Sequence, residues 1–399
     1  MNNYLLIKQG TVHNAIKEEP FVADIFVENG KIRKIAPVLE GKIINDAKVI
    51  DAMGIDIYPG FVDAHCHMGL DGYAVGFAGE DFNELGDPVT PQLSAVDAIN
   101  PQDETFRMAR ESGVTCVSTG PGSSNIIGGT FCVIKTWGTR VDDMLVREKS
   151  AMKIAFGENP KTCYKDKGVY SRMSVAAKLR EMLQLAILYD ERKKAAGYPV
   201  HTDYAKLPPY DVKLEALLPV IHGELPLKAH AHRADDIFTA IRIAKEFNLD
   251  LRIDHATDGA LIAEELAKEG YPVAVGPSFG HATKYELKNK GFSTPGILAE
   301  AGCQVSIITD SPVIEERYLA LCAGRAIYCG MKEFDALQAI TINAAMHIGV
   351  EDRVGSIEEG KDADFVLVKG APYAIDSRIL YTIIDGNIVY QGKQGENEA

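Results

Sequence analysis

The chain has 399 residues, of which 46% are hydrophobic and 25% are charged, a composition typical of globular proteins with one large domain and a smaller one. Its net charge of −14 argues against the broad basic surface that nucleic-acid binding requires. No apolar run approaches the roughly 18 residues that span a bilayer, and the absence of any CxxC pair among the seven cysteines argues against a zinc ribbon or a disulfide framework.

The N-terminus lacks the basic start and the apolar core of a secretory signal peptide. We therefore expect a cytoplasmic protein that acts on a small-molecule substrate, without nucleic-acid or membrane partners. Composition leaves homo-oligomerisation open.

Both ends of the chain have the pattern of a β-sheet. Residues 1–58 alternate short apolar runs with turn residues, and the same alternation returns only in residues 352–399. Asn29-Gly30 and Asp385-Gly386 lie between apolar runs, where such pairs form type I′ hairpin turns. The two ends are therefore predicted to form one small composite β-sandwich domain around a central domain of residues 59–351.

Eight short apolar runs, each ending in polar residues or glycine, cross this central domain. They alternate with stretches whose apolar positions recur every three or four residues, as in amphipathic helices. Strands that alternate with helices predict an α/β fold with a parallel sheet, and eight of them predict closure into a (β/α)8 TIM-type barrel. A doubly wound open sheet is the alternative, but no glycine-rich dinucleotide fingerprint follows the first run. The runs are GFVDAHCH (60–67), VTCVSTGP (114–121), VIKTWG (133–138), MKIAFGE (152–158), LKAHAH (227–232), LRIDHA (251–256), PVAVGP (272–277) and QVSIITD (304–310).

Two connections, residues 68–100 and 159–226, are too long to be plain loops. Both leave the carboxyl ends of strands, so they are expected to cover the mouth of the barrel. The second connection also contains two predicted helices, near residues 174–196 and 211–221. The clearest helix between strands has an apolar stripe that consists of Ile237, Ala240, Ile241, Ala244 and Phe247.

Histidines and carboxylates gather at the ends of these runs rather than being scattered. In a closed barrel the carboxyl ends of all strands open onto one face, so residues far apart in sequence converge there. Neutral imidazoles and carboxylates are the ligands that Zn²⁺ and its neighbours prefer. The sequence therefore predicts a site for one or two divalent metal ions, most simply zinc. The residues at these strand ends, from which the metal ligands would come, are His65, His67, Glu158, His230, His232, His255 and Asp310.

These same motifs resemble the amidohydrolase superfamily: an HxH pair in GFVDAHCH, KAHAH on the fifth strand, a sixth-strand histidine and a TDSP aspartate on the eighth. The tail ALQAITINAAMHIGVEDRVGSIEEGKDADFVLVKG is similar to that family's C-terminal signature, and within the family the chain looks closest to imidazolonepropionases and dipeptidase-like enzymes. The resemblance implies that His65, His67, His230 and His255 bind metal and that Asp310 is both a metal contact and the general base, with His255 beside it in the catalytic site. The implied reaction is metal-dependent hydrolysis of an amide-type C–N bond, in a cyclic amide, an imidazolone or a small peptide-like substrate, rather than of an ordinary peptide bond.

The fourth strand departs from the family pattern. Many relatives carry a carboxylated lysine at its end, bridging two metals, whereas this chain has Glu158. Lys153 lies at the start of that run and is expected to point to the wrong end of the barrel. Glu158 is therefore expected to be a metal ligand, with a substrate-facing or lid-anchoring role as the alternative, and the number of metals stays open.

Four further residues are candidate substrate contacts. His232 lies one pleat closer to the mouth than His230, which suits a substrate contact, with support of a ligand as the alternative. Arg233 is a candidate clamp for a substrate carboxylate and His281 a candidate loop contact, although both also suit ordinary surface positions. Asn125, in GPGSSNIIGG, is a candidate donor to a substrate carbonyl. Asp254 is expected to point away from the site, into the helix layer.

Two other functions compete with hydrolysis. A deaminase of a heterocyclic amine would use nearly the same ligands, but such enzymes often have an HxxE arrangement on the fifth strand, where this chain has Ala231, His232 and Arg233 after His230. A non-catalytic assembly module would be expected to have lost ligands, which this chain has not.

Overall fold

The computed structural model describes residues 4–40, 47–73 and 76–392. The remaining parts of the predicted small domain (1–3, 41–46, 393–399), and residues 74 and 75 of the first long loop, lie outside these ranges. The strands of the described residues are β1 Tyr4–Val12, β2 Phe21–Glu28, β3 Lys31–Ala36, β4 Lys48–Asp51, β5 Asp56–Pro59, β6 Phe61–Cys66, β7 Val114–Thr119, β8 Ile127–Lys135, β9 Leu145–Ala155, β10 Leu227–Ala231, β11 Leu251–His255, β12 Val273–Val275, β13 Val305–Ile307, β14 Phe365–Lys369, β15 Arg378–Ile384 and β16 Asn387–Gln391.

The α-helices alternate with the strands of the central domain, as the sequence period predicts. They are α1 Glu104–Glu111, α2 Val141–Met144, α3 Glu158–Cys163, α4 Arg172–Ala195, α5 Val212–Ile221, α6 Ala234–Phe247, α7 Ala263–Glu269, α8 Thr294–Glu300, α9 Leu319–Tyr328, α10 Glu333–Ala339 and α11 Ile342–Ile348. None of the helices in the described ranges combines the length and apolar character needed to cross a bilayer.

One sheet is built from both ends of the chain, as predicted. Its order is β16-β15-β14-β5-β1-β2-β3, with β4 paired to β1. Asn29 and Gly30 between β2 and β3 both have positive φ, as do Asp385 and Gly386 between β15 and β16, which confirms the two predicted turns. The boundaries drawn at residues 58 and 352 stay a prediction.

The second sheet forms the predicted barrel, in the order β13-β12-β11-β10-β9-β8-β7-β6. The amide of His67 donates to the carbonyl of Ser311 (2.7 Å) and that of Asp310 to the carbonyl of His65 (3.2 Å), which joins the first strand to the chain after the last one. These two hydrogen bonds lie at the carboxyl ends of both strands. They therefore hold two predicted site residues next to each other.

The third barrel strand runs opposite to its neighbours, which corrects the purely parallel barrel that we predicted. β8 pairs antiparallel with both β7 and β9. Only residues 120–126 connect β7 to β8, and this is too short for the crossover that a parallel pair needs. The chain therefore turns back directly, and β8 begins several residues before the predicted run at 133–138.

The helix layer forms around a large apolar cluster. On α6 the predicted stripe is confirmed, since Ile237, Ala240, Ile241 and Ala244 are buried and Phe247 is partly buried against the same cluster. The two predicted helices of the long connection are also present, as α4 and α5, and they share this cluster. Ser171 caps α4 with a reciprocal pair of hydrogen bonds to Ser174, which fixes where the helix begins.

The end of the barrel opposite the predicted site is closed by α11. Ala344, Ala345 and Ile348 pack with Val62 and Ala64 of the first strand. The amide of Val62 donates to the carbonyl of Ile340 just before α11 (2.8 Å). The site at the other end therefore has a closed floor.

Candidate active site

The predicted histidines converge in two neighbouring groups at the mouth of the barrel. His65, His67 and Asp310 form one group, and His230, His232 and His255 form the other; within each group the ligand atoms lie within 4.8 Å of one another. The groups are in contact, because the rings of His65 and His255 have centroids 5.0 Å apart. All five histidines are nearly or fully buried.

The first group is centred on the carboxylate of Asp310. Its Oδ1 lies 3.2 Å from Nε2 of His67 and 3.4 Å from Nε2 of His65. Nδ1 of His67 donates to the carbonyl of Gly120 (2.7 Å). Because a carbonyl only accepts, Nδ1 of His67 is the donor in this bond, and Nε2 is the ring atom that faces Asp310.

The second group contains ring nitrogens that lack partners. Nδ1 of His255 donates to the carbonyl of Gly276 (2.8 Å), and Nδ1 of His232 lies 2.8 Å from the hydroxyl of Thr257. Nε2 of His255 and both ring nitrogens of His230 are buried without a hydrogen-bond partner in the described part of the chain. Leaving such groups unsatisfied costs roughly 1–3 kcal/mol each, so their presence fits a site that binds a ligand.

Burial also sets the charge of these side chains. It lowers the pKa values of His230, His232 and His255 well below their ordinary range, so all three rings are neutral and can donate lone pairs. Burial opposes ionisation of Asp310, but its interactions with His255, His65 and His67 outweigh burial and hold the pKa of Asp310 well below its usual value. Neutral imidazoles around an ionised carboxylate are a donor set that fits a divalent metal such as zinc.

Two of these residues have a strained backbone. His255 has φ of 76° and Asp310 has φ of 55°. Both occupy the left-handed region, which residues with a β-carbon adopt at a cost. Each is the point where the chain turns out of a strand, and the strain is consistent with a backbone held so that the side chain faces the mouth.

A paired set of charges lies directly below the histidines. Nζ of Lys228 lies 2.8 Å from Oδ1 of Asp254, and Nε2 of His347 on α11 lies 3.3 Å from the same oxygen. Oδ2 of Asp254 lies 3.0 Å from Nδ1 of His65. Asp254 therefore faces the barrel interior, contrary to the expectation that it points into the helix layer, and it supports the back of a candidate ligand.

Lys153 reaches the site, which corrects the expectation that it points to the wrong end. Its Nζ lies 3.4 Å from Nε2 of His65 and 3.9 Å from Oδ2 of Asp254, and the side chain is fully buried. Met152 and Ile154 on either side pack in the helix layer, so Lys153 must face inward. Its four-carbon stem then covers the distance to the mouth. Burial lowers the pKa of Lys153 to about 8.

Glu158 belongs to neither histidine group, so the structure does not support its prediction as a metal ligand. The chain turns into α3 at this residue, and Glu158 instead pairs with Glu286: each backbone amide donates to the other's carboxylate, at 2.9 and 3.0 Å. The other carboxylate oxygen of Glu286 lies 3.9 Å from Nε2 of His230. The carboxylate next to this histidine thus comes from the turn after β12, a position that no sequence pattern marked.

The four predicted substrate contacts lie in different surroundings, and only one of them is within a histidine group. Asn125 is almost fully buried, and its amide donates to the carbonyls of Glu84 and Asp87 and to the hydroxyl of Thr90, so it ties two loops together instead of facing the site. His281 is exposed on its loop. Arg233 forms two hydrogen bonds with Asp235, both 2.9 Å, at the edge of the mouth. His232 lies within the second histidine group.

Asp63, also unpredicted, connects the first and last barrel strands. Its carboxylate accepts the amide of His65 (2.9 Å) and both the amide (2.9 Å) and the hydroxyl (2.6 Å) of Thr309. These bonds fix the backbone next to Asp310. Asp63 therefore positions the first histidine group from behind.

Comparisons with known proteins found relatives that match nearly the whole chain. The Amidohydrolase family matches residues 227–389. A solved structure, an amidohydrolase from Thermotoga maritima, is 39% identical with a TM-score of 0.92, over 97% of this chain and 100% of that one.

Two of the relatives that match most of this chain are an amidohydrolase and an imidazolonepropionase. An amidohydrolase of Hapsidospora irregularis named tasK is 27% identical over 390 residues; the match covers 92% of this chain but only 40% of the length of that protein. An imidazolonepropionase of Thermoplasma volcanium is 26% identical over 357 residues, covering 87% of this chain and 83% of that one. Deaminases also occur among the relatives.

Proposed function

Because the chain belongs to the amidohydrolase superfamily, we propose that it is a metal-dependent hydrolase that cleaves an amide-type C–N bond in a small molecule, such as a cyclic amide, an imidazolone or a small peptide-like compound. Family membership and the enzymes among the relatives indicate a hydrolase acting on C–N bonds. The observation that supports the metal-dependent mechanism best is the set of buried, unpartnered ring nitrogens on His230 and His255.

The two histidine groups supply the residues that would hold the metal. We propose His65, His67, His230, His255 and Asp310 as ligands for one or two ions, with Lys153 in place of Glu158 as the fourth-strand residue at the site. Zinc suits these donors best. A divalent ion bound there would polarise the substrate carbonyl and lower the pKa of water from 15.7 toward about 7.

Asp310 is the residue that moves the proton. Its carboxylate is ionised and keeps 15% of its side chain exposed at the mouth, so it can reach both water and substrate. It accepts a proton from the attacking water and returns it to the leaving nitrogen. The carbonyls of Gly120 and Gly276 keep the rings of His67 and His255 oriented during this exchange, and His232 lines the same space for a substrate contact.

Deamination of a heterocyclic amine is the second candidate, and one observation favours it. The fifth strand lacks the HxxE arrangement, but Glu286 places a carboxylate 3.9 Å from Nε2 of His230. That carboxylate also binds Lys284 (2.9 Å) and the amide of Glu158, which restricts its movement toward a substrate. Hydrolysis of an amide remains the better supported reaction.

The test combines metal analysis with a screen for turnover. The purified full chain is expected to contain at least one zinc per chain and to hydrolyse one class among N-acyl amino acids, dipeptides, lactams and imidazolones. Asp310→Asn is expected to lower kcat/KM by about 10²–10⁴-fold, whereas the exposed Asp352→Asn is the matched control and should leave it unchanged. Full activity in Asp310→Asn would remove the proposed base, and a chain without stoichiometric metal would favour a non-catalytic assembly module.

A further inference from the structure

A cavity of about 580 Å³ opens at the mouth of the barrel beside the Glu158–Glu286 pair. We call it the mouth pocket; the residues that matter for its chemistry are Glu158, Lys161, Lys165, Arg172, Arg233 and Tyr285. We propose that the mouth pocket binds a carboxylate of the substrate, so that the substrate class is an amide with an acidic group beyond the scissile bond. This inference rests on the proposed function, because it assigns the pocket to the same reaction.

The mouth pocket is adjacent to the histidines. Glu158, in its wall, accepts the amide of Glu286 at 3.0 Å, and the carboxylate of Glu286 lies 3.9 Å from Nε2 of His230. The Glu158–Glu286 pair therefore lies between a molecule in the pocket and a candidate metal ligand. The volume of the mouth pocket is within the range of small-molecule sites.

The charge of the pocket is opposite to that of the whole chain. Its lining contains four cationic side chains and one carboxylate, whereas the chain has a net charge of −14. Arg172 and Arg233 are both paired with Asp235, at 2.5 and 2.9 Å. Neither Lys161 nor Lys165 has a carboxylate partner within the described ranges. The free positive charge thus lies on the two lysines, whose ammonium groups suit a carboxylate.

The arrangement also orients a bound molecule. The carboxylate of Glu158 repels an anion from the wall nearest the histidines. The anionic end of a substrate is therefore drawn to the side with Lys161 and Lys165, which leaves the amide toward His230. The ring of Tyr285, 5.5 Å from the guanidinium of Arg233, offers an apolar surface between these two regions.

Matched pairs of compounds test this assignment on the metal-loaded full chain. The probes are N-acetylglycine, N-acetyl-β-alanine and 4-acetamidobutyrate, each compared with its own carboxamide, so that the spacing between amide and acid grows by one methylene at a time. At the spacing that reaches the lysines, the acid is expected to have a kcat/KM about tenfold above its carboxamide. Lys161→Met with Lys165→Met is expected to abolish that preference by lowering the kcat/KM of the acid to that of its carboxamide.

A second arm does not depend on turnover. Binding of the same acids and carboxamides to metal-loaded Asp310→Asn is measured by titration calorimetry, with and without the two lysine substitutions. Lys149→Met is the matched control, because Lys149 is exposed at the opposite end of the fourth barrel strand. It should leave both the binding and the preference intact.

The outcomes separate the two proposals. If the compounds are hydrolysed but acids and carboxamides react equally well, or if the lysine double variant keeps the preference, the mouth pocket does not bind a carboxylate although the proposed function stands. If nothing in the panel or in the wider screen is hydrolysed, the proposed function fails. Tighter binding of the acids, lost in the double variant, would still support the pocket in that case, and equal or absent binding would overturn it.

Discussion

Lys228 and His230 leave the same strand on the same side of the barrel, two residues apart, and both are almost completely buried. Yet the ammonium of Lys228 is paired with the carboxylate of Asp254 at 2.8 Å and donates to the carbonyl of Ala64 at 2.9 Å. Neither nitrogen of His230 makes a hydrogen bond within the described residues. On this strand, therefore, a paired buried side chain is followed one pleat later by an unpaired one.

This difference distinguishes buried polar groups that stabilise the fold, such as Lys228, from buried polar groups that suit a functional site, such as His230. Burying a charge is tolerable only where a partner offsets the loss of water, as Asp254 does for Lys228. Burial opposes ionisation of Asp254, and Lys228 outweighs it, so the pKa of Asp254 lies well below its usual value. The unpartnered nitrogens above this pair are groups that a bound cation would stabilise. We call Lys228 and Asp254 the paired layer, and His230 and His255 the unpaired layer. The two layers should respond differently to substitution.

The largest effect on activity is expected from the unpaired layer. His230→Asn should lower the zinc content and reduce kcat/KM roughly a thousandfold or more, since several kcal/mol of transition-state stabilisation depend on the metal. The free energy of unfolding of the metal-free protein should change by less than about 1 kcal/mol, because no hydrogen bond is lost. Elemental analysis, kinetics and denaturant titration of metal-free samples measure the three quantities. A large loss of stability without loss of metal would show that His230 is a structural residue.

The next largest effect is expected from substitution in the paired layer, and it is an effect on the free energy of unfolding. Lys228→Met leaves the carboxylate of Asp254 buried with its main partner gone, which should cost about 3–5 kcal/mol of unfolding free energy. Adding Asp254→Asn to this variant should restore part of the loss, because the uncompensated charge is then removed. Denaturant titration of the two single variants and the double variant gives the coupling. If Lys228→Met were as stable as the wild type, the contrast between the layers would not hold.

The overall architecture could be predicted because its signals are local. Turn pairs such as Asn29-Gly30, the helical stripe from Ile237 to Ala244 and the strand-end histidines each depend on a few neighbouring residues. The direction of β8 could not be predicted, since it is decided by the length of the link from β7, and the run chosen from the sequence began six residues late.

The site was predictable only where a side chain leaves the end of a strand. His65 and His255 follow this rule, and the barrel geometry brings them together. Lys153 lies lower on its strand and reaches the site through a long flexible stem, which a strand-end rule cannot detect. Glu286 lies in a turn whose position depends on its pairing with Glu158, so only the folded chain shows that it faces His230.

The smallest expected effect concerns Asn125, which the sequence suggested as a substrate contact and the structure shows as a link between loops. Asn125→Ala leaves the carbonyls of Glu84 and Asp87 and the hydroxyl of Thr90 without their donor, which should lower the free energy of unfolding by about 1–2 kcal/mol. KM should change little, because both amide hydrogens already have protein partners. Asn125→Asp should be less stable still, since its carboxylate would face two carbonyl oxygens. Denaturant titration alongside kinetics distinguishes the two roles: unchanged stability with a raised KM would return Asn125 to the substrate.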